Sequence, residues 1–187
     1  MSNQKRPYRL KERAEAQERT RRSITEATVE LHSSIGPART SISAVAERAG
    51  VQRATVYRHF PDEESLFAAC SAHWRAANPR PDPSAWSRIE DPEERLRAAL
   101  AELYGYYRSA EPMLANLIRD EPHVDVLRPL LARFWDYLED VREGLMRGRP
   151  ERGRGRARVR AALGHALELA TWRSLARGQG LEDAAAV

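Results

Sequence analysis

The sequence predicts an all-α protein with a small N-terminal helix-turn-helix domain and a larger C-terminal helical domain. Three observations carry this prediction. Apolar residues recur at helical spacing along much of the 187-residue chain. No stretch alternates apolar and polar side chains as a half-buried strand does. Two short helical patterns also meet at an Ala-Gly-Val turn over residues 49–51, which is typical of a helix-turn-helix unit.

Positive charge is concentrated near the N-terminus. The formal net charge is +4, and residues 1–60 hold twelve basic against six acidic side chains, so the remainder carries −2. This asymmetry favours a nucleic-acid partner. The single cysteine, Cys70, excludes an internal disulfide and fits a reducing compartment. With no apolar run of ~20 residues and no signal core, we expect a cytoplasmic protein without a membrane partner.

The N-terminal domain is expected to span residues 1–65. Residues 1–18 read as a basic, partly disordered arm, with a solvated tail as the alternative, and Pro7 argues against helix at the extreme start. A first helix is predicted over residues 19–34 and a second from the cap Ser41. Gly50 supplies the left-handed turn that follows. The apolar face of the second helix consists of Ile42, Val45, Ala46 and Ala49.

Residues 52–59 form a predicted helix that is unusually polar around the inward-facing Val56. Arginine and glutamine side chains read guanine and adenine, and hydroxyl and imidazole groups suit phosphate oxygens. A solvated surface helix is the alternative. The residues predicted to bind DNA, including those at the preceding helix N-terminus, are Arg39, Thr40, Ser41, Ser43, Gln52, Arg53, Ala54, Thr55, Tyr57, Arg58 and His59.

The run AVAERAGVQRATVYRHFPDEESLF, residues 44–67, resembles the DNA-binding domain of the tetracycline-repressor (TetR) family of bacterial transcription regulators. The resemblance spans residues 19–67. Many members carry a lysine that helps to hold phosphate where this chain has Glu63, whose carboxylate repels phosphate. The residues that match are Ile42, Ala46, Ala49, Gly50, Val51, Tyr57, Phe60, Pro61 and Leu66.

The resemblance implies a transcription regulator that binds a palindromic double-stranded DNA operator as a homodimer. Repression is the favoured mode of regulation. It also implies a small-molecule effector, of unidentified structure, bound by the C-terminal domain. The alternatives are an activator of the same fold and a protein that binds nucleic acid without sequence preference. The family dimerises through its last two long helices, whereas residues 181–184 only open a further helix, which leaves the dimer's details undecided.

The C-terminal domain is placed at residues 66–187. A linking helix is expected over residues 62–77, followed by a proline-rich segment that packs down through Trp86. Asp91 and Pro92 begin the next helix, and Pro112 begins a shorter one. Further helices are expected over residues 123–146 and 157–177, separated by a flexible loop, residues 147–158.

Large apolar side chains in this domain are candidates for an effector pocket, with simple core packing as the alternative for each. They are Trp74, Tyr104, Tyr107, Met113, Leu117, Phe134, Leu138 and Trp172. Polar contacts are expected from His123, Arg119, Asn116 and His165. No glycine-rich phosphate loop or nucleophile elbow occurs, so we expect no enzyme activity, no cofactor and no metal site.

Overall fold

The computed structural model describes residues 5–187, with side chains from Lys11 onward. Within this range all regular structure is helical, which confirms the predicted fold class. A 3-10 turn precedes the second helix and another precedes the seventh. The helices are α1 Lys5–Ser34, α2 Ile42–Arg48, α3 Arg53–His59, α4 Glu63–Ala77, α5 Pro83–Trp86, α6 Pro92–Asp120, α7 Leu127–Met146, α8 Gly153–Ala166, α9 Leu169–Arg173 and α10 Asp183–Ala186.

Helix α1 starts earlier than the sequence predicts. It begins at Lys5, so most of the segment expected to form a disordered arm is helical, and residues 1–4 lie outside the described part of the chain. Pro7 is compatible with this start because it falls in the first turn, where backbone N–H groups have no acceptor within the helix. The predicted helix start at residue 19 is therefore wrong, and the arm expected to be partly disordered is helical from Lys5 onward.

The helix-turn-helix packs around its own small core. Ile24 of α1, Val45 of α2 and Val56 of α3 are fully buried there, with Phe60 and Leu66 closing the cluster. Burying a side chain of this kind contributes roughly 1.5–3 kcal/mol. The three helices α1, α2 and α3 therefore hold one another at fixed angles, although α2 and α3 have only seven residues each.

Helix α4 connects this core to the rest of the molecule. Its N-cap is Asp62, whose Oδ1 accepts the backbone N–H of Ser65 at 2.7 Å. Leu66 packs into the N-terminal cluster, whereas Phe67 packs with Leu117 and Leu131 of the C-terminal part. Adjacent residues of one helix thus belong to different cores, and the domain division at residue 65 stays a prediction.

Helix α6 runs without interruption through Pro112, so the prediction of a new helix at this proline is wrong. The buried face continues on both sides of it, through Leu103, Tyr107, Leu114 and Leu117. A proline inside a helix costs about 3 kcal/mol, but each of these large side chains returns roughly 1.5–3 kcal/mol on burial. The continuous apolar face therefore decides the local structure.

Helix α7 lies against α6 along the apolar stripe predicted from the sequence. The stripe is buried throughout and consists of Leu127, Leu131, Phe134, Leu138, Val141 and Leu145. The loop after α7 is shorter than predicted, because α8 already begins at Gly153. Arg149 in this loop is buried and donates to Glu93 Oε1 at 2.7 Å, so this part of the loop is anchored rather than free.

The single helix predicted over residues 157–177 is broken at Leu167 and Glu168. The hydroxyl of Tyr104 donates to the Ala166 carbonyl at 2.9 Å, and the hydroxyl of Tyr107 donates to the Leu167 carbonyl at 2.5 Å. These bonds satisfy carbonyl groups that a continuing helix would have paired with its own backbone. The two buried tyrosines thus stabilise the break.

Candidate functional site

Local backbone chemistry fixes the geometry of the helix-turn-helix. Ser41 caps α2, and its Oγ accepts the Ala44 N–H at 3.1 Å. Gly50 has φ +66°, the left-handed conformation predicted for the turn, and the Val51 N–H then reaches the Ala46 carbonyl at 2.9 Å. A residue with a side chain would be strained at position 50. The turn between α2 and α3 is therefore encoded within a few residues.

Helix α3 is also fastened at its C-terminal end. Arg21 of α1 donates through Nη1 to the His59 carbonyl at 2.8 Å, and its guanidinium lies 4.2 Å from the ring centroid of Phe60. A cation at a helix C-terminus interacts favourably with the helix dipole. Arg21 thus orients α3 from the protein side, which is a role that sequence periodicity did not indicate.

The outer surface of this unit presents the residues predicted to contact DNA. Thr40, Thr55 and His59 are half-buried. Tyr57 is 47% exposed, which is unusual for a large aromatic side chain and leaves its hydroxyl available. Exposed members of the set are Arg39, Ser41, Ser43, Gln52, Arg53, Ala54, Tyr57 and Arg58. The structure therefore leaves eight of the eleven predicted residues exposed on and beside α2 and α3.

Part of this surface borders a groove that we call the interdomain groove. Its volume is about 860 Å³, and Thr40, Ser41, Ser43, Arg53 and Tyr57 line one wall. The other wall includes Glu63 of α4 and the segment His123–Val126. An acidic side chain thus faces the same space as the predicted phosphate-binding hydroxyls.

The electrostatic surroundings of α3 are positive. Burial lowers the pKa of His59, and the guanidinium groups of Arg58 and Arg21 lower it further, while Glu18 opposes them weakly. Arg58 and Arg21 thus place positive charge at the C-terminal end of α3. Positive charge there attracts the phosphate backbone of DNA.

The C-terminal part contains a second cavity, which we call the C-terminal cavity. It lies between α6, α7 and the α8–α9 break and has a volume of about 550 Å³, within the size range of small-molecule sites. Apolar side chains form much of its lining, including Ile118, Leu138 and Leu169. Its charged lining residues are Arg119, Arg142, Arg173, Glu139 and Glu168.

The residues predicted to line an effector pocket do not share one cavity. Of that set, Leu138 borders the C-terminal cavity, while Trp74, Leu117 and Phe134 border a smaller space of about 50 Å³. The remaining four are side chains packed in the apolar cores, where the two tyrosine hydroxyl groups also donate to backbone carbonyls. They are Tyr104, Tyr107, Met113 and Trp172.

The predicted polar contacts are likewise dispersed. Arg119 borders the C-terminal cavity, and His123 borders the interdomain groove. Asn116 is buried and donates to the His32 carbonyl at 2.9 Å. His165 lies on the surface, 3.7 Å from a Glu168 oxygen. Periodicity could not single out the cavity arginines Arg142 and Arg173, because charged residues on an amphipathic helix are usually solvated.

Among residues 5–187, no group of three or more His, Cys, Asp or Glu side chains is arranged to hold a metal ion. None of the helices described there is both long and apolar enough to cross a membrane.

Comparison with known proteins agrees with this geometry. Residues 24–70 match the family described as bacterial regulatory proteins, tetR family. The matched segment contains most of the N-terminal core and the whole of α2 and α3. A search of curated proteins found no match.

Solved structures extend the similarity to most of the chain. The crystal structure of a TetR-like transcriptional regulator from Rhodococcus sp. RHA1 is 20% identical, covers 89% of this chain and 88% of its own, and has a TM-score of 0.64. NalD, the secondary repressor of the MexAB-OprM multidrug efflux pump in Pseudomonas aeruginosa, is 22% identical, with 91% and 90% coverage and a TM-score of 0.57. At these identities the likeness establishes the fold.

Proposed function

We propose, because residues 24–70 match the tetR family of bacterial regulatory proteins, that the chain is a ligand-responsive repressor that binds a palindromic operator as a homodimer. The observation that carries the proposal is the exposed polar face of α3, held from beneath by Val56 and at its end by Arg21. A helix packed so firmly, with Arg53 and Tyr57 directed outward, suits insertion into the major groove.

The proposed division of labour follows the two kinds of contact in protein–DNA complexes. Arg53 and Gln52 would read base edges, and Thr40, Ser41 and Tyr57 would bind phosphates. Two-fold symmetry of the dimer then sets half-sites about 34–36 Å apart or a multiple of this spacing. A regulator that acts on DNA would work in the cytoplasm and would need no catalytic group.

The proposed effector is a small molecule in the C-terminal cavity. A ligand shifts the balance between two conformations only by its difference in affinity for them. The effector would therefore bind more tightly to a dimer whose α3 helices are wrongly spaced for the operator. Activation of transcription is the second possibility, because the sign of regulation depends on where the operator lies.

The direct test is selection of bound fragments from sheared DNA of the source organism at near-physiological salt. Recovery of one or a few palindromes supports the proposal. Recovery of DNA without a shared sequence would instead favour the non-specific alternative. Enrichment of no DNA at all, by a protein shown to be folded and dimeric, would contradict both.

Removing the Arg53 side chain is expected to relax sequence preference. Arg53→Ala should weaken binding to the selected operator by about 1–3 kcal/mol, the value of one good base contact, and change binding to random DNA far less. Competition titrations with the two DNAs measure the difference. Arg97→Ala removes an exposed arginine from α6 and is the matched control. Equal losses on both DNAs would assign Arg53 to the backbone instead.

Reversing the charge at Glu63 is expected to strengthen DNA binding. Glu63 is exposed in the first turn of α4 and faces Arg53 and Tyr57 across the interdomain groove. Glu63→Lys should add about one phosphate contact and steepen the dependence of log affinity on log salt by about one. Glu64→Lys carries the same charge change in the same helical turn but does not border the groove, so it controls for net charge and the helix dipole. Identical behaviour of the two variants would exclude a contact at Glu63.

A further inference from the structure

The last turn of α6 holds the chain segment that leads into the helix-turn-helix. Arg119 donates through Nη2 to the Ile35 carbonyl at 3.0 Å, and Asp120 Oδ2 accepts the Ala38 N–H at 3.0 Å. Arg119 and Asp120 are joined by two further bonds, from Nε at 2.7 Å and from Nη2 at 3.0 Å. We call this arrangement, the ion pair together with its contacts to Ile35 and Ala38, the latch.

The backbone at Gly36 is shaped to fit the latch. Gly36 has φ +90°, a conformation that residues with side chains rarely adopt. A Cβ atom placed there would overlap Arg119 Nη2 and Asp120 Oδ2. The main chain at Gly36 therefore lies so close to the ion pair that no side chain fits between them. Ser41, the cap of α2, follows only three residues after Ala38, so the latch lies next to the start of the DNA-binding unit.

Arg119 belongs to the C-terminal cavity as well as to the latch. Its side chain is 48% exposed and forms part of the cavity lining. A guanidinium group has five N–H donors. Nε, Nη1 and Nη2 of Arg119 make four bonds to Asp120, Asn116 and Ile35, and among residues 5–187 one Nη1 donor lacks an acceptor. A molecule in the cavity can thus reach the latch directly.

The polar chemistry of the cavity favours an anion. Glu139 is already held by Arg142 and Arg160, and Glu168 lies at the exposed edge beside His165. Arg142 Nε, by contrast, is buried and has no hydrogen-bond acceptor within the described part of the chain. Buried donors without acceptors are costly. Among the residues that line this cavity, the donors without an acceptor are therefore on Arg119 and Arg142. Apolar side chains form much of the remaining lining.

We propose that the C-terminal cavity binds an amphipathic anion whose apolar body packs against Ile118, Leu138 and Leu169 and whose charged group bonds to Arg119, opening the latch. The inference rests on the proposed function and assigns a chemical class to its effector. A full negative charge attracts the guanidinium more strongly than the dipole of the Ile35 carbonyl does, so the Ile35 contact is lost first. Rotation of the guanidinium then also breaks its bonds to Asp120, and the displaced carboxylate releases the Ala38 N–H that it had accepted.

The binding part of the proposal is tested with two fluorescent probes of similar shape. 1-Anilinonaphthalene-8-sulfonate carries an anionic group, and N-phenyl-1-naphthylamine is its neutral counterpart. The folded wild-type protein should bind the anion about tenfold more tightly, the equivalent of one charge-assisted bond. Arg119→Gln should abolish this preference, and the surface variant Arg97→Gln should keep it. Equal binding of both probes by the wild-type protein would overturn the proposal.

A cavity-filling variant shows whether the probes bind at the intended place. Ala170 lines the cavity from an exposed position on α9, so a larger side chain there is compatible with folding. Ala170→Trp should weaken binding of both probes by at least about tenfold, since it occupies the space that their apolar rings need. Unchanged binding by Ala170→Trp would place the probes elsewhere and overturn the assignment.

Opening of the latch is measured by hydrogen exchange at the Ala38 amide. Saturation with the anionic probe should accelerate this exchange by about tenfold or more, because exchange requires release from Asp120. Arg119→Gln should exchange rapidly without any probe. If the protein selects an operator but the anion leaves Ala38 exchange unchanged, the latch proposal fails and the proposed function stands. If Ala38 is released but no operator is recovered, the proposed function fails instead.

Discussion

Replacement of Trp172 by alanine is expected to lower the free energy of unfolding by about 3–5 kcal/mol, as truncation of a fully buried tryptophan does. The side chain has no exposed surface and lies in the main C-terminal core. Its ring centroid is 6.2 Å from that of Tyr107, and its Nε1 donates to Asp183 Oδ1 at 3.0 Å. Alanine would leave a large cavity and would free one bond that anchors the C-terminal segment.

Urea unfolding followed by far-UV circular dichroism measures this loss. Trp135 is the matched control, because it is 38% exposed and Trp135→Ala should cost far less than the buried replacement. Trp172→Phe should fall between them, since it retains an aromatic ring but loses the N–H bond to Asp183. A cost below about 1 kcal/mol for Trp172→Ala would mean that the site is not a packed core. That result would support the alternative prediction, in which Trp172 lines an effector pocket.

Local chemistry explains why much of the N-terminal unit could be predicted from the sequence. Ser41, Gly50 and Asp62 act on backbone groups within a few residues, so their types alone reveal two helix caps and one turn. The apolar stripe of α7 was equally readable, because its positions follow the helical repeat and all of them are buried. Where sequence and structure agree, the stabilising contact is local or strictly periodic.

The wrong predictions concern positions where distant contacts outweigh a local signal. Pro112 is a strong helix breaker by type, yet packing on both sides of it maintains α6. The opposite happens at Leu167, where helix-forming residues are interrupted because Tyr104 and Tyr107 bond to the carbonyls at the break. Neither tyrosine is near that break in the sequence, separated from its partner by 62 and 60 residues, so no local pattern could have predicted it.

The two candidate sites differ in the same way. The surface proposed to bind DNA is formed largely by one continuous stretch, so its residues could be proposed together. The C-terminal cavity is formed by α6, α7 and the α8–α9 break, and its arginines come from all three regions. The resemblance implied a pocket in this part, but apolar content selected mostly packed side chains, and only Leu138 among them lines the C-terminal cavity. The spatial order of the helices was needed to find Arg119 and Arg142.

Acidification is expected to destabilise the protein through His32. This side chain is 2% exposed at the end of α1, its ring centroid lies 4.7 Å from that of Phe67 in a tilted arrangement, and its Nδ1 is 3.7 Å from Cys70 Sγ. Burial lowers the pKa of His32 to about 4, although the Asp120 carboxylate opposes the shift. Burial also raises the pKa of the Cys70 thiol to about 12, so its partner remains neutral.

The direction of the pH effect follows from proton binding in the two states. Below pH 6.5, the ordinary pKa of histidine, the unfolded chain takes up a proton at His32 and the folded chain does not until about pH 4. The free energy of unfolding should therefore be highest above pH 6.5 and fall as the pH decreases toward 4. Between pH 7.5 and 5.0 the loss from this group should be about 2 kcal/mol.

Urea unfolding at these two pH values, for wild-type and His32→Gln proteins, isolates the effect. Glutamine cannot titrate, so the variant should lose about 2 kcal/mol less than wild type on acidification, whatever its stability at pH 7.5. The Arg108 bond holds the pKa of Asp183 below its usual range, so that carboxyl stays ionised in this window. His73→Gln removes an exposed histidine from α4 and should retain the wild-type pH dependence. If His32→Gln also retains it, His32 is protonated in the folded protein, and α1 is packed less tightly against α4 than the structure indicates.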